Sequence, residues 1–259
     1  MRINRQEKSS HWYHRDGRAC HEVTAKTTGL PRPTTVADAR KLNLVPSVTN
    51  ILNMKAKPAL ITWLQDNSIR AALETPRNVN EPEDAWHSRI AEEADRIGKE
   101  AAEWGTLLHE QIEQFNTDGA FLGTGEILRY VEGYSVWHKE NVAEVIYAER
   151  SVIGSLGYAG RLDLYAMMKN GRRAVIDFKS QKLLTKKGPG FYKEWHMQLA
   201  AYAAALLEDG DEPPELISVV IPSDAPGPVF EKRWGGYAEA LRAFEACFEL
   251  WCYEKGYRP

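Results

Sequence analysis

The stretch 158-YAGRLDLYAMMKNGRRAVIDFKSQK-182 constrains this chain more than any other. Two runs rich in aromatic and branched apolar residues flank Lys169-Asn170-Gly171, which reads as a β-hairpin. If the loop has three residues with Gly171 in the left-handed region, Met168 pairs with Arg172 and Asp163 falls opposite Asp177. A two-residue turn would instead pair Asp163 with Phe178 and put the two aspartates on opposite faces. The position of Gly171 favours the first register. Residues two apart on a strand share a face, so Asp177 and Lys179 point together while Phe178 turns to the core.

Two carboxylates on facing positions, with Cβ atoms about 4.5–5.5 Å apart, repel when both are ionised. A D-x-K tripeptide taken at random is ordinarily part of a solvated ion-pair ladder. An aspartate opposite its acid argues against that here. Arginine partners or a shared proton would relieve the pair, and so would a divalent cation, which takes carboxylate oxygens as hard ligands. A charged lysine cannot ligate a metal, but it can neutralise a phosphate or orient a water. Asp163, Asp177 and Lys179 on one strand pair therefore describe a metal-dependent site for phosphodiester cleavage.

The rest of the chain supplies the surroundings. Helical spacing predicts a helix over 57–75 through Leu60, Leu64, Ile69 and Leu73, one or two helices over 83–116 with Gly98 and Gly105 as weak points, and another over 124–141. Strands are expected at 144–153, 158–168, 172–179, 215–221 and 228–233, and helices at 193–208 and 236–255. This order predicts an α/β fold, a single domain with a central mixed sheet flanked by helices. Residues 1–45 read as an N-terminal arm or small extension, and 46–259 as the main domain with a helical N-terminal part. The first twenty residues hold no apolar run, and 198-QLAAYAAALL-207 is too short to span a bilayer. Three cysteines make no disulfide framework, so a cytoplasmic, membrane-free protein is expected.

The 259 residues carry a net charge of −3, yet residues 169–193 hold eight lysines and arginines against Asp177 alone. A solvated loop explains such a run, and so does a phosphate-binding face on an acidic protein. Two helical stretches add polar groups. In 104-WGTLLHEQIE-113, Gly105 permits a close backbone approach and His109 follows one turn on. In 198-QLAAY-202, Gln198 and Tyr202 share a helix face. Each alone would pass for an ordinary helical feature.

Taken in order, 105-GTLLH-109, 160-GRLD-163, 177-DFK-179 and 198-QLAAY-202 resemble the RecB-like branch of the PD-(D/E)XK nuclease superfamily, with its restriction-endonuclease-like core. The stretch 45-VPSVTNIL-52 is similar to phage-encoded exonucleases of that branch. The resemblance implies that Asp163, Asp177, His109 and the Phe178 carbonyl hold the metal, Mg²⁺ or alternatively Mn²⁺. It implies that Lys179 orients the attacking water, and that Gln198 and Tyr202 support the site and contact the nucleic-acid backbone. Glu149, on the preceding strand, would face the same cleft. Lys182, Lys186, Lys187 and Arg161 are the further candidates for binding nucleic acid. Leu162 stands where the superfamily's nominal proline would be. Some relatives bind an iron–sulfur cluster through four cysteines, one before the core and three after it. Here Cys20 precedes it and only Cys247 and Cys252 follow, so no cluster is expected.

The function these implications favour is a metal-dependent deoxyribonuclease, an exonuclease of phage or prophage recombination, repair or processing. A non-catalytic DNA-end-binding module is a second reading, and the intact Asp163, Asp177 and Lys179 speak against it. A third is a nuclease subunit active only with a helicase, recombinase or single-strand-binding partner. The chain has no P-loop, so any motor would come from that partner.

Overall fold

A computed structural model describes residues 11–123, 125–183 and 188–259. Its centre is a five-stranded sheet in the order β5 (Val142–Gly154), β6 (Tyr158–Met168), β7 (Arg173–Gln181), β8 (Glu215–Pro222) and β9 (Phe230–Trp234). The pairings β5–β6, β6–β7 and β8–β9 are antiparallel and β7–β8 is parallel, so the sheet is mixed. The parallel step needs a crossover, and α6 (Lys193–Leu206) provides it.

Helices cover both faces, which follows from the alternation along the buried strands. On β7, Ala174, Ile176 and Phe178 face α4 (Glu83–Asp118) and α5 (Glu126–Asn141), packing with Leu108, Ile112, Tyr134 and Trp137. Val175 and, on β8, Leu216 face the other way, toward α6 and α7 (Tyr237–Lys255), among Leu199, Tyr202, Phe244 and Trp251. The Ala-rich face of α6, with Ala200, Ala201 and Ala203 fully buried, lets that helix sit close to the sheet.

The N-terminal segment is built into this second layer. It contains β1 (Trp12–Tyr13), β2 (Glu22–Thr24), β3 (Pro31–Pro33), α1 (Val36–Leu42), β4 (Val45–Pro46) and α2 (Val48–Leu52). Trp12 is wholly buried and meets the Trp251 ring edge-on at 5.8 Å between centroids. Thr35 and Asp38 cap α1 reciprocally, and Ser47 caps α2 through the Asn50 N–H. Neither short helix is predicted from periodicity, because each spans only one to two turns.

One helix departs from its sequence reading. In α3 (Pro58–Glu74), the periodic residues Leu60, Leu64, Ile69 and Leu73 are all exposed, Leu73 by 80%. The face turned inward is instead Trp63, Asn67 and Ala71, with Trp63 packed beside Gly98 of α4. Gly98 does not break α4, which runs unbroken for 36 residues. Among the described residues, no helix is long and apolar enough to cross a membrane.

The burial of Trp12 carries a quantitative consequence. Trp12→Ala should destabilise the protein by about 3–5 kcal/mol, as for other fully buried aromatic side chains. Thermal or urea unfolding checks it, and a change below about 1 kcal/mol would mean that the N-terminal segment contributes little to the core.

Candidate metal centre

The hairpin loop has the three-residue geometry. Gly171 takes φ +82°, its N–H donates to the Met168 carbonyl, and the Met168 N–H donates to the Arg172 carbonyl at 2.8 Å. The ladder then follows the expected register through Met167–Arg173, Ala166–Ala174, Tyr165–Val175 and Leu164–Ile176, and there it ends. The next rung, between Asp163 and Asp177, is not formed as a backbone pair. Instead the Asp163 carboxylate folds across the gap, and its Oδ2 accepts the Phe178 N–H at 2.7 Å.

The other side of β6 opens at the same residue. Its ladder with β5 pairs Ala148 with Leu164 and Arg150 with Leu162 but skips Glu149 and Asp163. Glu149 has φ +49°, a left-handed conformation that costs a non-glycine residue about 1–2 kcal/mol. The inward faces change over here too. Leu164, Ala166 and Met168 pack toward α4 and α5, whereas Leu162 packs toward α6 and α7. The two strands thus turn a corner at Glu149 and Asp163, which releases the Asp163 side chain from the ladder.

Asp177 and Lys179 share a face, as the alternation requires. Lys179 Nζ is 2.5 Å from Asp177 Oδ2, and Asp177 is only 1% exposed. Neither Asp177 oxygen accepts a hydrogen bond of good geometry among the described residues. Burial pushes the Asp177 carboxyl well above the usual carboxylate range, with the Lys179 ammonium opposing this and the Asp163 charge adding to it. Burial alone would discharge Lys179, but the charges of Asp177 and Asp163 outweigh that and keep it an ammonium.

His109 reaches this group from α4. Its Nδ1 is 3.9 Å from Asp163 Oδ2, and its ring meets that of Phe178 edge-on at 6.5 Å between centroids. Burial lowers its basicity, with Lys179 assisting and Asp163 opposing, so the ring is neutral at neutral pH. The approach of α4 depends on Gly105, where a Cβ would lie 2.9 Å from Ser180 Oγ just beyond Lys179. From α6, Gln198 Nε2 donates to Tyr202 Oη at 3.0 Å, and Tyr202 is buried beneath Gly160. A Cβ on Gly160 would come within 2.4 Å of the Tyr202 ring, so this glycine is what seats the tyrosine.

His109, Asp163 and Lys179 line a cleft of about 580 Å³ together with Glu110, Glu113 and Glu149. Arg161 is held by carboxylates, with Nη2 at 2.9 Å from Glu113 and Nε at 2.7 Å from Glu149. Lys182 is exposed beyond the end of β7, and Lys186 and Lys187 lie outside the described residues. Glu113 is absent from the sequence reading although it is one turn beyond His109 on the same face of α4. Tyr13 is absent too. It comes from the N-terminal strand to a place where the Arg161 and Glu149 charges act on its phenol. The three cysteines are free; Cys252 is buried and Cys20 and Cys247 are half-buried against the same core.

The donor set suits a hard divalent ion. It offers two carboxylates, one of them buried against the Lys179 ammonium without a hydrogen bond of good geometry, and a neutral imidazole. Among the described residues no three acid, histidine or cysteine side chains stand in ligating positions as they are, since Lys179 occupies Asp177 and the Phe178 N–H occupies Asp163.

Comparison with known proteins agrees with this arrangement. Residues 125–232, from the start of α5 to β9, match the family model of the PD-(D/E)XK nuclease superfamily, and the matched span contains Asp163, Asp177, Lys179, Gln198 and Tyr202. The five-stranded mixed sheet between helices is consistent with that superfamily's core. Among solved structures, the crystal structure of SSO0001 is similar at 18% identity over 74% of this chain and 86% of its own, with a TM-score of 0.32. No curated protein matches the chain.

Glu149 offers a test of the cleft's electrostatics. Burial and the Asp163 charge push its carboxyl up to about 8, against a partly exposed Arg161 that it shares with Glu113. Between about pH 4.5 and 8 the folded protein therefore holds a proton that the unfolded chain has released. Stability in chelator should fall as pH rises through that window. Glu149→Gln should flatten this fall by about 2–4 kcal/mol, measured by chemical unfolding at pH 5 and pH 8. Parallel profiles for the variant and wild type would show that Glu149 is ionised throughout.

Proposed function

We propose that this chain is a metal-dependent DNA nuclease of the RecB-like branch, an exonuclease similar to those of phages that serves DNA recombination, repair or processing. The observation that carries the reading is the opened rung, where Asp163, Asp177 and Lys179 converge beside His109 within a domain of the nuclease superfamily. Residues 46–259 would form the nuclease unit and 1–45 an extension packed against it.

Asp163, Asp177, His109 and the Phe178 carbonyl would hold Mg²⁺ or Mn²⁺. When bound there, such an ion supplies Lewis-acid polarisation of a phosphoryl oxygen and compensates the charge developing on the phosphate. The two carboxylates also dictate when Lys179 is available. In the free protein its ammonium is held by Asp177. With that carboxylate engaged elsewhere, the ammonium is free to turn toward the cleft, where it can orient a water and neutralise a non-bridging oxygen. His109, neutral through burial, presents a nitrogen lone pair and adds no charge. The Gln198–Tyr202 pair would buttress the Asp177 side of the site from α6, and Lys182, exposed just beyond β7, would meet the DNA backbone. Charge contacts of this kind favour any sequence equally.

Asp177→Asn and Lys179→Ala should each lower cleavage of linear DNA by about 10²-fold or more in Mg²⁺ or Mn²⁺, with the fold retained by circular dichroism. Cleavage at the wild-type rate in either variant would remove the reading. His109→Ala should weaken activity and change the ratio of Mg²⁺- to Mn²⁺-supported rates, since an imidazole ligand favours Mn²⁺. An identical metal profile would make His109 purely structural. End-labelled linear and closed circular DNA, digested side by side, separate exonuclease from endonuclease action.

A further inference from the structure

The segment between α2 and α3 brings two more lysines into the electrostatic reach of the site. Lys55 Nζ lies 3.0 Å from Glu194 Oε2, in the first turn of α6 and one turn before Gln198. Lys57 comes next and is half-buried. Its Nζ donates to the neutral Asn53 Oδ1 at 2.7 Å, and among the described residues no carboxylate lies within ion-pair distance of it. The charges that bear on Lys57 are those of Glu194, Lys55 and Lys179. Glu194 is already engaged by Lys55, and Lys179 by Asp177.

The local account of charge is therefore unequal. Lys55 and Lys179 each have a carboxylate within ion-pair distance, while Lys57 is half-buried on the Asn53 amide oxygen, favoured by the charge of Glu194, which Lys55 already engages, and opposed by the charges of Lys55 and Lys179. A cation in that position is costly unless something anionic completes it. A lone ammonium on a flexible stem suits a phosphate as a point charge. The DNA strand lying across Lys179 is the one polyanion that the proposed reaction brings here.

We infer that Lys57, with Lys55 beside it, binds a phosphate of the substrate strand adjacent to the one at Lys179, so that the turn before α3 forms part of the DNA track. This rests on the nuclease reading. The phosphate is either an internal diester or a terminal monoester, and both present the same anionic oxygens. Lys57 is on this account a binding residue that never touches the reacting atoms, so its loss falls on KM more than on kcat.

The test is binding of labelled oligonucleotides, with and without a terminal phosphate at either end, in Ca²⁺ over a salt series. Lys57→Gln keeps a donor for Asn53 while removing the charge, and Lys57→Met is the second neutral variant should the amide disturb the turn. Lys57→Arg retains the charge, and Lys26→Gln, on the exposed turn between β2 and β3, controls for net charge. The neutral variants should raise Kd about tenfold and reduce the log–log salt slope by roughly 0.7–0.9, the share of one phosphate contact. Lys57→Arg should bind within about threefold of wild type, and Lys26→Gln should leave the slope unchanged. Equal losses on all oligonucleotides assign an internal phosphate; a loss confined to phosphorylated ends assigns a terminal one. Wild-type affinity and slope in both neutral variants would overturn the inference alone and leave Lys57 as a brace for the turn. A wild-type protein that binds no DNA would overturn the nuclease reading with it.

Discussion

The site depends on one interruption in an otherwise regular sheet. A carboxylate within a continuous antiparallel ladder would be one more side chain on a pleated surface, held at the pitch of its neighbours. At Asp163 the ladder fails on both sides at once, toward Glu149 on β5 and toward Asp177 on β7. The strands turn a corner there, and the freed carboxylate takes over the Phe178 N–H that strand pairing would otherwise engage. The left-handed backbone of Glu149 is the conformational cost of that corner.

What surrounds the interruption keeps it in place. Phe178 is locked into the α4–α5 side of the core, and its immobility fixes Asp177 and Lys179 on the opposite face. From one side α4 closes in at Gly105, and from the other Tyr202 presses against Gly160. A Cβ at Gly160 would collide with the buried Tyr202 ring, and one at Gly105 would press on the Ser180 hydroxyl. The result is a buried carboxylate whose oxygens lack proper hydrogen-bond partners, an arrangement that weakens the fold and that a packed apolar residue would relieve.

Much of this framework was legible in the sequence. The hairpin register followed from a single glycine, because only a residue free to adopt positive φ closes a three-residue loop, and Gly171 does so. The long strands and helices were legible because each buries enough periodic apolar surface to show its period. The short helices α1 and α2 were not, being too brief to show one. The exposed stripe of α3 misled, since the face turned inward carries Trp63, Asn67 and Ala71 instead of the periodic leucines and isoleucine. The ladder's failure at Asp163 was hidden for a deeper reason: nothing in the residue types announces a left-handed glutamate in the middle of a strand. The pairing of Lys55 with Glu194 is set by tertiary folding, which no local pattern reports.

The central claim is that the opened rung holds a divalent ion, and ion binding can be measured without any reaction. Protein stripped with chelator is titrated with Mn²⁺ while its melting temperature is followed, for wild type and for Asp163→Asn. Binding to the folded state alone raises stability by RT ln(1 + [Mn²⁺]/Kd), about 2.7 kcal/mol at a hundredfold excess over Kd. The expected result is a saturable rise in the wild type that is absent, or displaced to far higher concentration, in Asp163→Asn. Equal stabilisation of the two proteins at the same Mn²⁺ concentration would contradict the account, for the ion would then be bound somewhere other than the broken rung.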